Sequence, residues 1–275
     1  RNKKRKASKC DMPRISPSIL SHAGRVHKLL PLLLAECRTI EKAKQELRWI
    51  MNELTTPRDI HRACAMRSLH YPLQYILGTQ PFGPLDIRCK PGVLIPRWET
   101  EEWAIDLAHR LPSDTPLNLL DLCTGTGCIP LLLKKVRPNA QVTGVDISNH
   151  ALSLAKENSK VLGIPVRTEK YDIINQTDSI YPYKIDVLTC NPPYIPRSYF
   201  NAHTSTSVKL YEPRLALVGN VEFYENLVTQ WLPRADSFVY EVGEISQCEY
   251  VNNKIKSHQD HSRLWNVGIR YDSND

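Results

Sequence analysis

A short apolar stretch, a glycine-rich turn and a second apolar stretch follow one another between residues 117 and 136. Residues 117–122 predict a buried strand, and residues 129–136 predict a helix that begins directly after the turn. This layout lets a ligand approach bare backbone at a helix N-terminus. The next predicted strand, residues 141–145, is followed by Asp146, at the position where an acid can bind ribose hydroxyls. The chain is therefore predicted to form an α/β fold whose sheet binds a ribose-containing cofactor.

The glycine-rich turn differs from the pattern that is typical of nicotinamide cofactors. Only Gly125 and Gly127 are glycines in the turn, and Asp121 lies where a pyrophosphate would be repelled. The same acid would attract the ammonium and sulfonium groups of S-adenosylmethionine. We therefore expect S-adenosylmethionine as the cofactor, and an oxidoreductase is the less favoured class of enzyme. The predicted cofactor-binding residues are Asp121, Cys123, Thr124, Gly125, Thr126, Gly127, Asp146, Ile147, Asp172, Ile173 and Asn191.

Predicted strands and helices continue to alternate beyond Asp146. Asp172 follows one of these strands and is placed to meet the adenine amine, while Ile173 packs either on the adenine ring or in the ordinary core. Strict alternation implies right-handed crossovers and a mostly parallel, doubly wound sheet that is covered on both faces. The predicted helices are 148–162, 221–231 and 245–255, and the predicted strands are 166–171, 185–190, 237–242 and 263–271.

The sequence Asn-Pro-Pro-Tyr at residues 191–194 comes directly after the apolar run 185–190. Two prolines end a buried strand, so Asn191 is expected at its carboxyl end, where open α/β sheets bind ligands. The Asn191 side-chain oxygen and the Pro192 carbonyl can accept two hydrogen bonds from one planar NH2 group, on which Tyr194 can pack. A plain strand-ending turn is the alternative. For direct in-line methyl transfer to such a nitrogen, the predicted catalytic residues are Asn191, Pro192, Pro193 and Tyr194.

Charge and cysteine content exclude several classes of protein. The net charge of +7 comes mostly from residues 1–10, which hold six basic residues and no acid, so the remaining chain is almost neutral. A near-neutral body lacks the electrostatic footprint of a nucleic-acid-binding protein. The eight cysteines are scattered without a CxxC pair, which argues against a zinc site or a disulfide framework. We predict no metal site, no membrane-spanning segment and a reducing compartment.

The segment from residue 12 to residue 35 contains arginines, a lysine and several serines but no acid. This composition is typical of a mitochondrial transit segment. A basic first helix, or a nuclear-type basic cluster at residues 1–6, remains the alternative. We expect the mitochondrial matrix as the location, with the cytoplasm as the alternative.

Residues 29–70 predict a small helical domain, in which Thr56 and Pro57 begin the last helix. Short extended pieces at 74–77, 85–89 and 93–95 then predict a β-hairpin linker, with Gly-Pro as a turn signal. The following helix begins after Pro96 with an acidic first turn that complements the helix dipole. The residues of this first turn either cap the helix or lie at the rim of the pocket. The predicted substrate-binding residues are Arg97, Glu99, Thr100, Asn191, Pro192 and Tyr194.

With these residues identified, the chain resembles the HemK/PrmC family, the peptide-chain-release-factor glutamine methyltransferases, and in particular a mitochondrial member of the fungal type. The shared motifs are PLQYILG (72–78), GVLIPRWETE (92–101), LDLCTGTGCI (120–129), VDIS (145–148), NPPYIP (191–196), YEPRLAL (211–217) and YEVG (240–243).

The resemblance implies a class I S-adenosylmethionine-dependent methyltransferase with a seven-stranded sheet. It also implies methylation of the glutamine side-chain nitrogen in the Gly-Gly-Gln loop of a class I release factor, with the helical domain helping to hold that protein. We expect a monomer that binds neither a membrane nor, stably, a nucleic acid. The expected organisation is a basic tail with a candidate targeting segment (1–28), a helical substrate-binding domain (29–73), a β-hairpin linker (74–96) and a methyltransferase domain (97–275).

The chain departs from the family pattern at several positions. Cys123 stands in place of a glycine before the turn, Trp98 in place of a proline, and Ile173 in place of an aromatic beside the adenine. The glycine-rich stretch after the Glu-Pro segment is reduced to residues 218–220. We expect these differences to loosen contacts with the cofactor or the substrate, while the predicted catalytic residues are kept.

Two rival functions follow from the same residues. An adenine-N6 or other nucleic-acid amine methyltransferase would grip its target amine with the same four residues at 191–194. A binding module that has kept the fold without catalysis is the rival from a different class.

Overall fold

The computed structural model describes residues 14–176, 184–258 and 265–273, and the chain divides into two compact units. The first unit contains residues up to Leu77 together with Asn201–Leu210, and the second contains Gly78–Phe200 and the chain from Tyr211 onward. The predicted basic tail lies outside the described residues as far as residue 13. None of the helices in the described ranges combines the length and the apolarity that crossing a bilayer requires.

The first unit is helical, as the sequence predicts. Thr39 and Thr56 cap two of the helices by accepting hydrogen bonds from Lys42 N and Asp59 N. The core contains the leucines of the second helix, and the first helix packs into it through Ala23. Residues 74–77, predicted to be extended, belong instead to a short helix. The helices are α1 (Pro17–Val26), α2 (Leu30–Cys37), α3 (Ile40–Glu53), α4 (Pro57–Ser68) and α5 (Leu73–Leu77).

A buried ion pair joins two helices of this unit. Glu46 on α3 and Arg67 on α4 contact each other through two hydrogen bonds, and their side chains are 10% and 8% exposed. Arg67 Nη1 also donates to the Tyr71 carbonyl at 2.7 Å, and Cys37 Sγ donates to Glu46 Oε2 at 3.0 Å. Removal of either charged side chain would leave the other buried with only a neutral hydrogen-bond partner.

A β-hairpin begins the second unit. Strands β1 (Thr79–Phe82) and β2 (Leu85–Arg88) pair antiparallel around Gly83, whose φ of 57° lies in the left-handed region. The predicted strand 85–89 is confirmed apart from its last residue. The first strand begins later than predicted because Pro72 precedes α5, and the residues after a proline readily begin a helix. Residues 93–95 form no strand.

The main sheet of the second unit is parallel, as predicted. Its strands lie in the order β5 (Arg167–Lys170), β4 (Gln141–Asp146), β3 (Asn118–Leu122), β6 (Ile185–Cys190) and β7 (Ala235–Tyr240). Alternate residues of β3 face opposite layers. Leu120 and Leu122 pack against the C-terminal helices, and Leu119 packs against the helices on the other side.

Of the helices that follow the hairpin, those at 98–110, 128–136, 149–162 and 245–258 lie where the sequence predicts helices, whereas those at 197–203 and 206–211 were not predicted. The predicted helix 221–231 is α-helical only at its start and continues as a π-helical segment, Leu227–Trp231. The helices are α6 (Trp98–Arg110), α7 (Cys128–Val136), α8 (Asn149–Leu162), α9 (Arg197–His203), α10 (Thr206–Tyr211), α11 (Glu222–Asn226) and α12 (Ile245–His258).

The described residues form five of the seven expected strands in the main sheet. The predicted final strand 263–271 is wrong over its described part, because residues 265–271 have irregular backbone; residues 263 and 264 lie outside the described ranges. Side chains hold this segment instead of a ladder of backbone hydrogen bonds. Trp265 packs edge-on against Phe238, and Arg270 forms ion pairs with α6.

The buried ion pair leads to a stability prediction. Arg67→Met should lower the free energy of unfolding by about 3 kcal/mol, because it leaves the Glu46 carboxylate buried without its partner. Arg62→Met on the same helix is the matched control, since Arg62 is exposed. It should change stability by less than about 0.5 kcal/mol. Urea unfolding followed by circular dichroism measures both, and equal effects of the two substitutions would contradict the assignment.

Candidate active site

A cavity of about 340 Å³ opens in the second unit. The turn after β3, the residue that ends β4 and the residue that follows β6 line it together, since carboxyl ends of parallel strands meet at one edge of a sheet. Of the predicted site residues, those that line it are Arg97, Thr100, Cys123, Thr124, Gly125, Thr126, Asp146, Ile147, Asp172, Ile173, Asn191 and Pro193. Those outside the lining are Glu99, Asp121, Gly127, Pro192 and Tyr194.

The glycine-rich turn is fastened to β4. Thr124 N donates to the Val145 carbonyl at 3.0 Å, and Gly125 N donates to Asp146 Oδ2 at 2.9 Å. A Cβ atom on Gly144 would lie 2.5 Å from Thr124 Oγ1, so only glycine permits this approach. Sequence reasoning missed Gly144, because a glycine inside a strand indicates a close contact without saying with what.

The departure at Cys123 falls on a demanding position of the backbone. Its φ is 55°, in the left-handed region where residues other than glycine are uncommon. Gly125 and Gly127 have φ values of 57° and 81° in the same turn. Gly127 also lies at the N-terminus of α7, where a Cβ would be 3.1 Å from Ala155 Cβ. The turn therefore keeps its geometry with two glycines instead of three, at the cost of local strain at Cys123.

Two carboxylates and two isoleucines face the cavity. Asp146 accepts hydrogen bonds from Gly125 N and, at 2.8 Å, from Ser148 N, and burial raises the pKa of its carboxyl. Asp172 accepts a hydrogen bond from Asn175 Nδ2 at 2.7 Å. Ile147 and Ile173, the residues after these acids, supply apolar lining. The two carboxylates can accept hydrogen bonds from hydroxyl and amino groups, and they lie beside an apolar slot and a turn of bare backbone. This arrangement fits a nucleoside such as that of S-adenosylmethionine.

Asp121 is buried behind the turn. It is 1% exposed, and Thr189 Oγ1 donates to its Oδ1 at 2.7 Å. Its Oδ2 and the nearby Thr124 Oγ1 are buried, and neither makes a well-formed hydrogen bond within the described ranges. Burial raises the pKa of Asp121 to about 7, although the Thr189 and Thr124 hydroxyls oppose the rise. Asp121 is thus a buried acid behind the glycine-rich turn, and it does not line the cavity.

Asn191 lies at the cavity wall at the end of β6. Its Nδ2 donates to Thr100 Oγ1 at 2.9 Å. Pro193 also lines the cavity, whereas Pro192 is buried and outside the lining. The Tyr194 hydroxyl donates to Glu241 Oε1 at 3.3 Å, and its ring lies where a Cβ on residue 243 would clash. The structure therefore brings together Asn191, Pro193 and Thr100, with Tyr194 packed behind them.

A second buried acid fixes Arg97 at the cavity. Arg97 Nη2 forms an ion pair with Glu212 Oε1 at 2.8 Å, and the Glu212 side chain is only 2% exposed. Glu212 Oε2 also accepts a hydrogen bond from Ile95 N at 3.2 Å. Sequence reasoning missed Glu212 and Glu241 as site residues, although both lie in segments that carried the family resemblance. Their partners on α6 and just before it are more than a hundred residues away in the chain.

Residues 217–219 run beside the chain segment that follows Asn191. Ile195 N donates to the Leu217 carbonyl at 3.0 Å, and Gly219 N donates to the Ile195 carbonyl at 3.2 Å. A Cβ on Gly219 would lie 2.1 Å from the Pro193 carbonyl oxygen. The shortened stretch at 218–220 therefore keeps the one glycine that this contact requires.

Among the described residues, no group of three or more His, Cys, Asp or Glu side chains is arranged to hold a metal ion.

Comparison with known proteins identifies the kind of domain. Residues 113–235 match a family model described as a methyltransferase domain. The chain is 50% identical over 273 residues to the mitochondrial MRF1 N(5)-glutamine methyltransferase MTQ1 of Saccharomyces cerevisiae, covering 96% of this chain and 86% of that protein. It is 39% identical to the probable MRF1 mitochondrial N(5)-glutamine methyltransferase of Schizosaccharomyces pombe, covering 82% and 84%.

A bacterial relative and a solved structure extend the comparison. The release factor glutamine methyltransferase of Enterococcus faecalis is 34% identical, over 69% of this chain and 72% of that protein. The hMettl16 catalytic domain, solved in complex with the MAT2A 3'UTR hairpin 6, superposes with a TM-score of 0.52 at 17% identity. The match covers 72% of this chain and 73% of that one. At this identity the likeness shows the shared methyltransferase fold alone.

The contact at Gly219 leads to a prediction about the loop after Asn191. Gly219→Ala should lower the free energy of unfolding by about 1–3 kcal/mol, because the new methyl group would overlap the Pro193 carbonyl. Gly268→Ala in the same unit is the matched control, since nothing lies within 4 Å of a Cβ there. It should stay within about 0.5 kcal/mol of the unsubstituted protein. Urea unfolding measures both. An unchanged free energy of unfolding for Gly219→Ala would contradict the predicted overlap with the Pro193 carbonyl.

Asp121 leads to a prediction about pH. In the unfolded chain its carboxyl ionises near pH 4. Because its pKa is about 7 in the folded state, the folded protein binds the extra proton in the interval between, and stability falls as the pH rises through it. Asp121→Asn removes this contribution. Relative to the unsubstituted protein, the variant should gain about 2 kcal/mol between about pH 5 and about pH 8 in urea unfolding. A constant difference at the two pH values would contradict the raised pKa.

Proposed function

We propose a substrate for this chain, which belongs to the family of the release factor glutamine methyltransferases. As a member of that family it is a methyltransferase that depends on S-adenosylmethionine. We propose that it methylates the side-chain amide nitrogen of the glutamine in the Gly-Gly-Gln loop of a class I peptide chain release factor. Modification of this loop would tune translation termination.

The observation that carries the proposal is the orientation of Asn191 at the cavity wall. Its Nδ2 is engaged by Thr100, which leaves Oδ1 as the acceptor for a substrate. An amide NH2 has two hydrogens, and we propose that Asn191 Oδ1 accepts one and that the carbonyl of Pro192, which lies just outside the cavity lining, accepts the other. Such a grip would fix the plane of the amide and favour rehybridisation of its nitrogen.

The cofactor would lie along the turn and the two acids. Gly125 and its neighbours would present backbone to it, Asp146 would accept from ribose hydroxyls, and Asp172 would accept from the adenine amine. S-adenosylmethionine supplies a methyl group on a positively charged sulfur. The protein contributes chiefly positioning and fixed dipoles around the acceptor nitrogen. A strong general base is unnecessary, because the methylated amide can release its proton to water.

The names of the relatives support a proposal for the compartment and the partner. The two fungal relatives are named as mitochondrial enzymes acting on MRF1, and the acid-free composition of residues 12–35 agrees with import. We propose that this chain acts in the mitochondrial matrix, as a monomer, on the release factor of that compartment. Stable binding to nucleic acid is not part of the proposal, because the chain beyond the first ten residues is nearly neutral.

Asn191→Ala should lower the rate of methyl transfer by about 100-fold or more, since one oriented polar group at the reacting nitrogen is lost. Binding of S-adenosylmethionine, measured by calorimetry, should change little. Asn253→Ala on α12 is the matched control, because Asn253 is exposed and lies outside the cavity lining. The substrate is a purified mitochondrial class I release factor, and mass spectrometry of its loop peptide detects one added methyl group.

Two further substrates decide between the functions. A release factor whose loop glutamine is replaced by glutamate should accept no methyl group at that position. Short DNA and RNA duplexes should accept none either. Transfer to an adenine, or transfer to the glutamate-substituted factor at an unchanged rate, would overturn the proposal. A near-normal rate for Asn191→Ala would remove Asn191 from the mechanism.

A further inference from the structure

We infer that Glu241 and Thr100 are positioning residues that fix the direction of the Asn191 side-chain amide, so that its oxygen faces the cavity. The inference rests on the proposed function, because it concerns the reacting group of that reaction. Neither residue needs to touch the transferred methyl group. Their contribution is to exclude the flipped amide, which would present NH2 to the substrate and could not accept its hydrogen bonds.

The direction follows from the number of hydrogens in a chain of three groups. Thr100 Oγ1 donates to Glu241 Oε2 at 2.7 Å, and it accepts from Asn191 Nδ2 at 2.9 Å. A hydroxyl has one hydrogen, so a Thr100 that donates to Glu241 can only accept from Asn191. The amide of Asn191 must therefore turn its nitrogen toward Thr100. Its oxygen is left on the opposite side.

The direction of the hydrogen bonds at Glu241 is constrained by a group that can only donate. Trp103 Nε1 donates to the same oxygen, Glu241 Oε2, at 2.9 Å. Because an indole nitrogen has no acceptor capacity, Oε2 accepts from Trp103, and an Oε2 without a proton also accepts from Thr100. The Tyr194 hydroxyl occupies the other carboxylate oxygen, Oε1. Burial raises the pKa of Glu241, while these three donors oppose the rise. A proton on Oε1 would still leave Oε2 as the acceptor for Thr100.

The elements of the fold bring these residues together. Glu241 follows β7, and its backbone nitrogen donates to the Cys190 carbonyl at 2.9 Å, directly before Asn191. Thr100 and Trp103 lie three residues apart on α6 and therefore on one face of that helix. Thr100 is 2% exposed and lines the cavity, so it stands between the partly buried Glu241 and the site. An acid with three donors could serve stability alone, and the experiment has to separate the two roles.

The experiment compares two substitutions at residue 100 that differ in the hydroxyl. Thr100→Val keeps the shape and removes the acceptor, whereas Thr100→Ser keeps the hydroxyl and removes the methyl group. We expect Thr100→Val to lower kcat on the release factor at least about tenfold. Thr100→Ser should recover most of that loss. Binding of S-adenosylmethionine should change by less than about threefold in either variant.

Two further variants test the acid and the packing. Glu241→Gln can keep an oxygen for Thr100 and Trp103 and turn its NH2 toward the Tyr194 hydroxyl, so it should lose less activity than Glu241→Leu. Thr143→Val on β4 is the matched control for the loss of a buried threonine, since Thr143 is buried and outside the cavity lining. Its kcat should stay within about twofold of the unsubstituted protein.

A measurement without substrate keeps this inference separate from the proposed function. In nuclear magnetic resonance of the protein alone, the side-chain NH2 of Asn191 should be protected from hydrogen exchange, and Thr100→Val should remove that protection. Wild-type protein that methylates no release factor but shows this protection would overturn the proposed function only. An active wild type with equal kcat for Thr100→Val would overturn the inference, as would equal losses for the valine and serine variants or an unprotected Asn191 amide.

Discussion

The parallel pairing of β3 with β4 and β6 is the constraint on which the site depends. Leu122, the last residue of β3, pairs with Val145 on one side and with Cys190 on the other. The next residues along each strand are therefore brought to one edge of the sheet. These are Cys123 at the start of the turn, Asp146 and Asn191. A slip of one residue in either pairing would turn the side chain at that edge to the opposite face.

Two acids, the buried Glu212 and the partly buried Glu241, connect this edge to residues much earlier in the chain. Glu212 holds Arg97 and the backbone of Ile95, and Glu241 holds Thr100 and Trp103. A buried carboxylate tolerates desolvation only when hydrogen-bond donors surround it, so each acid specifies one arrangement of its neighbours. The cavity walls are thereby aligned by polar contacts, while apolar packing supplies the bulk of the core. The same few residues therefore shape the site and stabilise the fold.

Much of the fold follows from local pattern. The apolar runs at 117–122 and 185–190 are regular enough to be assigned without tertiary information, and the structure agrees with them. Short or ambiguous stretches were assigned less well. Residues 74–77 became a helix, and residues 265–271 are held by side-chain contacts with α6 and Phe238. At 74–77 the preceding Pro72 favours the start of a helix, and at 265–271 contacts with distant side chains outweigh the local extended propensity.

The sequence by itself determined the α/β alternation, the glycine-rich turn, and the places where Asp146, Asp172 and Asn191 end or follow strands. Those features depend on residues that are adjacent in the chain. Tertiary structure alone decided that Asp121 lies behind the turn, that Tyr194 packs outside the cavity lining, and that Glu241 reaches Asn191 through Thr100. These contacts join residues dozens to more than a hundred positions apart. Which buried polar groups become partners is set by the packing of the layers, and no local pattern encodes it.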